Sequence, residues 1–89
     1  MENACELNLI TSTGEIVKEE IISFITESSN GKIEILPNHI EIIISTIPTK
    51  TTFTRVNGEK ININTDKGLV YIKNNKIKFC CNYSIYIFI

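Results

Sequence analysis

An all-β fold, a β-sandwich of about ten short strands, is predicted by three observations. Apolar and polar residues alternate with a period of two along most of the chain. Turn-forming Asn, Gly, Pro and Ser interrupt that alternation roughly every six to ten residues. No segment carries a clean apolar stripe at helical spacing. The nearest, Glu15 to Phe24, places Ile16, Glu19, Glu20 and Ile22 at that spacing but is rich in β-branched residues, so it reads as strand. With 89 residues, 43% of them apolar, the chain makes one domain near the lower end of sizes that bury a core of their own.

Taken in order, Glu6 to Thr11 is a strand, turned by Ser12-Thr13-Gly14 into a second, Glu15 to Lys18. Glu20 to Glu27 is the third, with Ile21 and Ile25 on one side and Ile22 and Phe24 on the other. Ser28-Ser29-Asn30-Gly31 is a turn, because Asn-Gly supplies the positive φ that tight hairpins need. Lys32 to Leu36 alternates as a short strand and stops at Pro37, which has no N–H to pair. The run Ile40 to Ile47 is apolar on both faces, with Ile40, Ile42 and Ile44 opposed to Ile43 and Ile47. A strand in a small domain has one interior to face, so the second face implies a partner.

After Pro48, Thr49 to Arg55 is β-branched and mostly polar, which predicts an exposed strand. Asn57-Gly58 is the strongest hairpin signal and leads into Lys60 to Asn64, where Ile61 and Ile63 face inward. Leu69 to Lys73 and Lys76 to Cys81 form a hairpin across Asn74-Asn75, since asparagine tolerates left-handed geometry. Ile77, Phe79 and Cys81 share the inner face of its second strand. Residues 1–81 are thus expected to form the sandwich. Residues 82–89 are an apolar tail whose alternation predicts one more strand, exposed to aggregation unless it pairs with the sandwich edge or with a second copy.

Composition excludes several functions. A net charge of −1 with one arginine, Arg55, and scattered lysines is no nucleic-acid footprint. Three cysteines, Cys5, Cys80 and Cys81, two of them adjacent, build neither a disulfide framework nor an easy tetrahedral site. They read as small apolar fillers in a reducing compartment. The acidic N-terminus is no signal peptide, and no apolar stretch reaches spanning length. The chain is expected to be cytosolic, with any membrane association coming through partners.

Catalytic residues are not expected. A single histidine, His39, cannot build a multi-histidine metal site. Glu34 or Glu41 could orient it as a base, yet its place after Pro-Asn at a strand edge is that of a hydrogen-bonded turn residue. Gly14, Gly31, Gly58 and Gly68 are isolated turn glycines with no phosphate loop among them. No cofactor or metal is implied. Two-faced apolar strands without a site describe an interaction module.

The stretch NGKIEILPNHIEIIISTIP, Asn30 to Pro48, carries a family likeness. Gly31, Leu36, Pro37, His39 and Pro48 resemble, in order and spacing, the N-terminal domain of the ε subunit of F-type ATP synthases. That family typically reads Gly-Glu-Phe-Gly-Val-Leu-Pro-Gly-His and continues to Lys-Pro-Gly. Three of its glycines are here Glu34, Asn38 and Thr49. Leu7 to Thr11 with Gly14 to Val17, and Gly68 to Ile72 with Asn74 to Ile77, are similar to its first and last hairpins. The likeness spans about Glu6 to Cys81, and its fold is also a β-sandwich.

The resemblance implies a non-catalytic subunit of the rotor's central stalk, with the γ subunit and the c-ring as partners. It would couple proton or sodium translocation to ATP synthesis from the cytoplasmic face of the plasma membrane. On that basis Gly31, Lys32, Ile33, Glu34, Leu36, Pro37, Asn38 and His39 are expected to face the c-ring. Thr11, His39, Ile42 and Ile44 are expected to face γ. The family commonly has an acid after its first glycine. Here Lys32 stands there, so Glu34 is expected to take the acidic contact. Family members usually continue into a helical hairpin that can restrain ATP hydrolysis. CNYSIYIFI, Cys81 to Ile89, has neither helix-forming composition nor caps, so the resemblance implies a coupling role here and carries over no braking role tied to those helices.

Overall fold

The computed structural model describes residues 3–86, which form nine β-strands and, among the described residues, no helix. In chain order they are β1 (Cys5–Thr11), β2 (Gly14–Ser28), β3 (Gly31–Ile35), β4 (Ile42–Thr46), β5 (Thr49–Arg55), β6 (Lys60–Thr65), β7 (Gly68–Lys73), β8 (Lys76–Cys80) and β9 (Tyr83–Tyr86). The expected all-β architecture is present. The strand beginning at Tyr83 pairs antiparallel with β6, Tyr83 opposite Thr65 and Tyr86 opposite Asn62. The last three positions of the expected tail strand, 87–89, lie outside the described residues.

One strand organises the two layers. The 15-residue β2 pairs with β1 along its first half and with β3 along its second, while β5 runs along its other edge. The continuous hydrogen-bonded order β4-β7-β8-β1-β2-β5-β6-β9 folds over at β2, where the pairing with β5 shifts register between Ile21 and Ser23. Phe24, just past the shift, meets Phe79 of β8 edge-to-face with ring centroids 5.6 Å apart. The two strands are not sheet neighbours, so this contact crosses the core. All pairs are antiparallel except β1 with β8.

Two expected strands, Glu15 to Lys18 and Glu20 to Glu27, are therefore one. No glycine or proline separates them, and β1 stays paired from Gly14 to Ile21. The bulge also corrects the expected facing. Ile21 and Phe24 are both buried, whereas Ile22 and Ile25 are only half-buried. An extra residue moves the inward phase from odd to even positions.

The core joins Leu7 and Leu9 of β1 with Ile21, Phe24, Ile35, Phe53, Ile63, Val70, Ile72, Ile77 and Phe79. Each such side chain, fully withdrawn from water, stabilises the fold by about 1.5–3 kcal/mol. β5 is not the exposed strand that its polar composition predicts. It lies between β2 and β6, with Thr51 and Phe53 buried. Its hydroxyl is accommodated by a chain of bonds: Thr51 Oγ1 lies 2.9 Å from Thr26 Oγ1 and 2.8 Å from Thr65 Oγ1. Thr65 in turn donates to the Thr49 carbonyl at 3.2 Å. Buried hydroxyls persist when partnered in this way.

Candidate functional site: an open seam between two edge strands

β3 and β4 are both edge strands, bonded only to β2 and β7 respectively. Between them lies a cleft of about 500 Å³, lined by the turn Ser28 to Gly31, then Lys32, Ile33, His39 and Ile42 to Ser45. The turn is built locally. The buried Ser28 hydroxyl accepts from the Asn30 N–H at 3.1 Å, and Gly31 takes φ 120° to start the return strand. Such a φ suits glycine alone.

Along β3, Ile35 is fully buried and Ile33 half-buried, while Lys32 and Glu34 point outward. Glu34 Oε2 accepts from the Ser23 hydroxyl at 3.4 Å. Leu36 is 52% exposed. The connection to β4 then bends through Asn38 at φ 68°, and its N–H donates to Asn75 Oδ1 at 2.7 Å. This accounts for asparagine where the resembling family has glycine, since asparagine is the side chain best suited to left-handed backbone.

His39 is half-buried, with Nδ1 2.8 Å from the Ile40 carbonyl. The carboxylates considered as its orienting partners are bonded elsewhere, Glu34 to Ser23 and Glu41 to the Tyr71 hydroxyl at 3.2 Å. Among the described residues, no three His, Cys, Asp or Glu side chains gather as a metal site. The seam offers apolar surface and strand edges. Ile40 is 75% exposed, Ile43 65% and Ile42 37%, while Ile44 packs on the core. The strand begins at Ile42, so Ile40 belongs to the connection.

The structure brings Gly31, Lys32, Ile33, His39, Ile42 and Ile44 together in the cleft, with Glu34, Leu36, Pro37 and Asn38 continuing along β3 and its connection. It does not bring Thr11 there. Thr11 closes the β1–β2 turn, its hydroxyl 2.9 Å from that of Thr13, at the end of β1 beside Cys80. β4 lies three strands away in the order β4-β7-β8-β1, about 14 Å at the usual strand spacing. Ile40 and Ile43, the most exposed large apolar residues among those described, are absent from the expected set. The two-sided apolar character of the run was their only signal.

The thiols are distinct. Burial pushes Cys81 up to about 11, with Cys80 and Asp66 adding to the effect. Burial, helped by Glu20, also raises Cys5, while Cys80 is exposed.

Two layers of strands with an open apolar seam between two edge strands make a small β-sandwich. The β-sandwich domain of the ATP synthase delta/epsilon chain matches residues 4–85. The chain belongs to that family. It is 37% identical over 84 residues to the ATP synthase epsilon chain of Clostridium botulinum, covering 94% of this chain and 63% of that one. It is 33% identical over 82 residues to the epsilon chain of Clostridium kluyveri, covering 92% and 62%. The chain thus spans less than two thirds of these curated relatives.

Among solved structures, a chain of Euglena gracilis mitochondrial ATP synthase, in an assembly of OSCP, F1 and c-ring, superposes with a TM-score of 0.89 at 12% identity. The match covers 96% of this chain and 55% of that one. A chain of the central stalk and c-ring of Tetrahymena thermophila mitochondrial ATP synthase gives 0.75 at 12% identity, covering 88% and 63%. At that identity the likeness is one of fold.

Proposed function

We propose that the chain is a non-catalytic central-stalk subunit of an ATP synthase, docked on γ and the c-ring and turning with them. The work it transmits is ion translocation coupled to ATP synthesis by other subunits. It sits at the cytoplasmic face of the membrane and touches the bilayer only through the complex. The observation that carries this reading is the seam between β3 and β4. Family membership supports assembly into the synthase, and the seam offers an apolar surface that the domain's own core leaves uncovered.

β3 and its connection, Gly31 to His39, meet the ring, and His39, Ile42 and Ile44 face γ. Thr11, three strands away, makes any stalk contact separately. Ile33 and Leu36 supply most of the ring attraction, because an exposed ion pair is worth at most about 1 kcal/mol. Glu34 and Lys32 share the outer face of β3 about 7 Å apart, so Glu34 reaches the position of the family's acid. Glu34→Gln weakens binding to the cognate c-ring modestly and in a salt-dependent way, and Lys32→Gln does less. Ring affinity of both variants at low and high salt is the test. Equal losses, or no salt dependence in either, would show that the acidic contact has been dropped.

A further inference from the structure

We infer that the outer face of the β7–β8 hairpin is a second docking site, taking an acidic polypeptide segment. One Asp or Glu side chain of that segment enters a cleft of about 160 Å³ lined by Tyr71, Lys73, Asn74, Lys76 and Lys78. The strand alternation that buries Val70, Ile72, Ile77 and Phe79 throws Tyr71, Lys73, Lys76 and Lys78 onto the opposite face. Lys73 stands directly opposite Lys76, and Tyr71 directly opposite Lys78. Like charges at directly opposed positions weaken a hairpin, so the fold gains nothing from this pair.

The neighbouring strand does not neutralise it. Across the β1–β8 pair, Lys76 lies in register with Glu6 and Lys78 with Asn8. Glu6 is already engaged from the other side by Lys18, Nζ to Oε2 at 3.8 Å. Among the described residues, Lys73, Lys76 and Lys78 form no ion pair. Glu41, bonded to the Tyr71 hydroxyl, marks the margin of the patch. A chain whose net charge is −1 therefore concentrates three uncompensated cations on one two-stranded face.

Charge complementarity selects an anion as the occupant, and size selects its class. A water takes about 30 Å³, so the cleft holds a carboxylate with a few waters. A nucleotide-sized ligand needs a pocket of about 300–1,000 Å³. Tyr71 walls the cleft with its hydroxyl turned to Glu41, and Ile43, directly opposite it on β4, carries the surface on to the exposed isoleucines. An acidic segment laid across the hairpin would thus meet cations first and apolar surface beside them. The inference does not depend on which assembly the seam serves.

The test is a titration of the full 89-residue chain with a hexaglutamate peptide, followed by backbone amide NMR shifts. The site predicts saturable shifts concentrated on Tyr71 to Lys78. Lys73→Gln/Lys76→Gln/Lys78→Gln should weaken binding roughly tenfold, as three exposed ion pairs lost together would. Lys50→Gln/Lys60→Gln/Lys67→Gln, which removes the same charge elsewhere, should leave it unchanged. The first variant should melt no lower than the unsubstituted chain, because it removes a repulsive pair. Equal weakening by both variants would reduce the effect to net charge and overturn the site. Inorganic phosphate moving the same amides with equal affinity would overturn polypeptide docking.

Discussion

Thr51→Val replaces the central hydroxyl of the buried threonine chain with a methyl of nearly the same shape. Thr51 is fully buried and bonds both Thr26 and Thr65. Thr65 keeps the Thr49 carbonyl at 3.2 Å. Thr26, 1% exposed, keeps no side-chain hydrogen bond among those the structure shows. An unsatisfied buried hydroxyl costs about 1–3 kcal/mol, so a loss of about 2 kcal/mol is expected. Urea unfolding followed by far-UV circular dichroism reads it as a midpoint lowered by about 0.7–2 M, at slopes of about 1–3 kcal/mol/M. Thr26→Val/Thr51→Val removes both ends of the broken bond and should recover most of the loss. A double variant as unstable as the sum of the two singles would refute the reasoning.

Three further outcomes are expected. Gly68→Ala should destabilise by about 3 kcal/mol, or abolish folding, because its Cβ would fall on the Cys80 carbonyl oxygen and within 2.8 Å of Cys81 Cβ; thermal melting checks it. Asn38→Ala should be less stable than Asn38→Gly by about 1 kcal/mol, since both remove the side chain and only alanine resists φ 68°; thermal melting of the two variants checks it. Cys81 holds its proton more tightly when folded, about 11 against an ordinary 9.0. Its contribution is therefore fully present below pH 9.0 and is lost as pH rises from there to about 11. Stability measured across that window should fall less steeply in Cys81→Ala than in the unsubstituted chain.

Much of the fold was legible because several elements are short alternations between strong turn residues. Asn74 and Asn75 take φ 54° and 61°, as a two-residue hairpin requires, and β7 and β8 follow with the expected facing. β2 is one strand where a break at Glu19 is expected: the chain stays paired with β1 there, and the inward phase flips only past Ile21, at the bulge. β5 was misread because threonine counts as polar until its partners are known. Thr26 and Thr65 lie 25 and 14 residues from Thr51, and no local pattern links them. The seam was half legible. Local spacing located β3 and its connection, yet the parallel β1–β8 pairing, which carries Thr11 to the far end, is non-local. The lysine face follows from a local hairpin, since Asn74-Asn75 sets Lys73 opposite Lys76, whereas the β1 neighbours beside it, Glu6 and Asn8, come from non-local pairing.

Co-elution of the chain with a γ–c-ring subassembly from the cognate synthase tests the central claim most directly. The unsubstituted chain should co-elute stoichiometrically. Ile42→Asp/Ile43→Asp, at two positions already exposed on the edge strand, should keep its unfolding midpoint and elute apart. Binding by that variant as tight as the unsubstituted chain's, or no binding by either, would contradict docking through the seam.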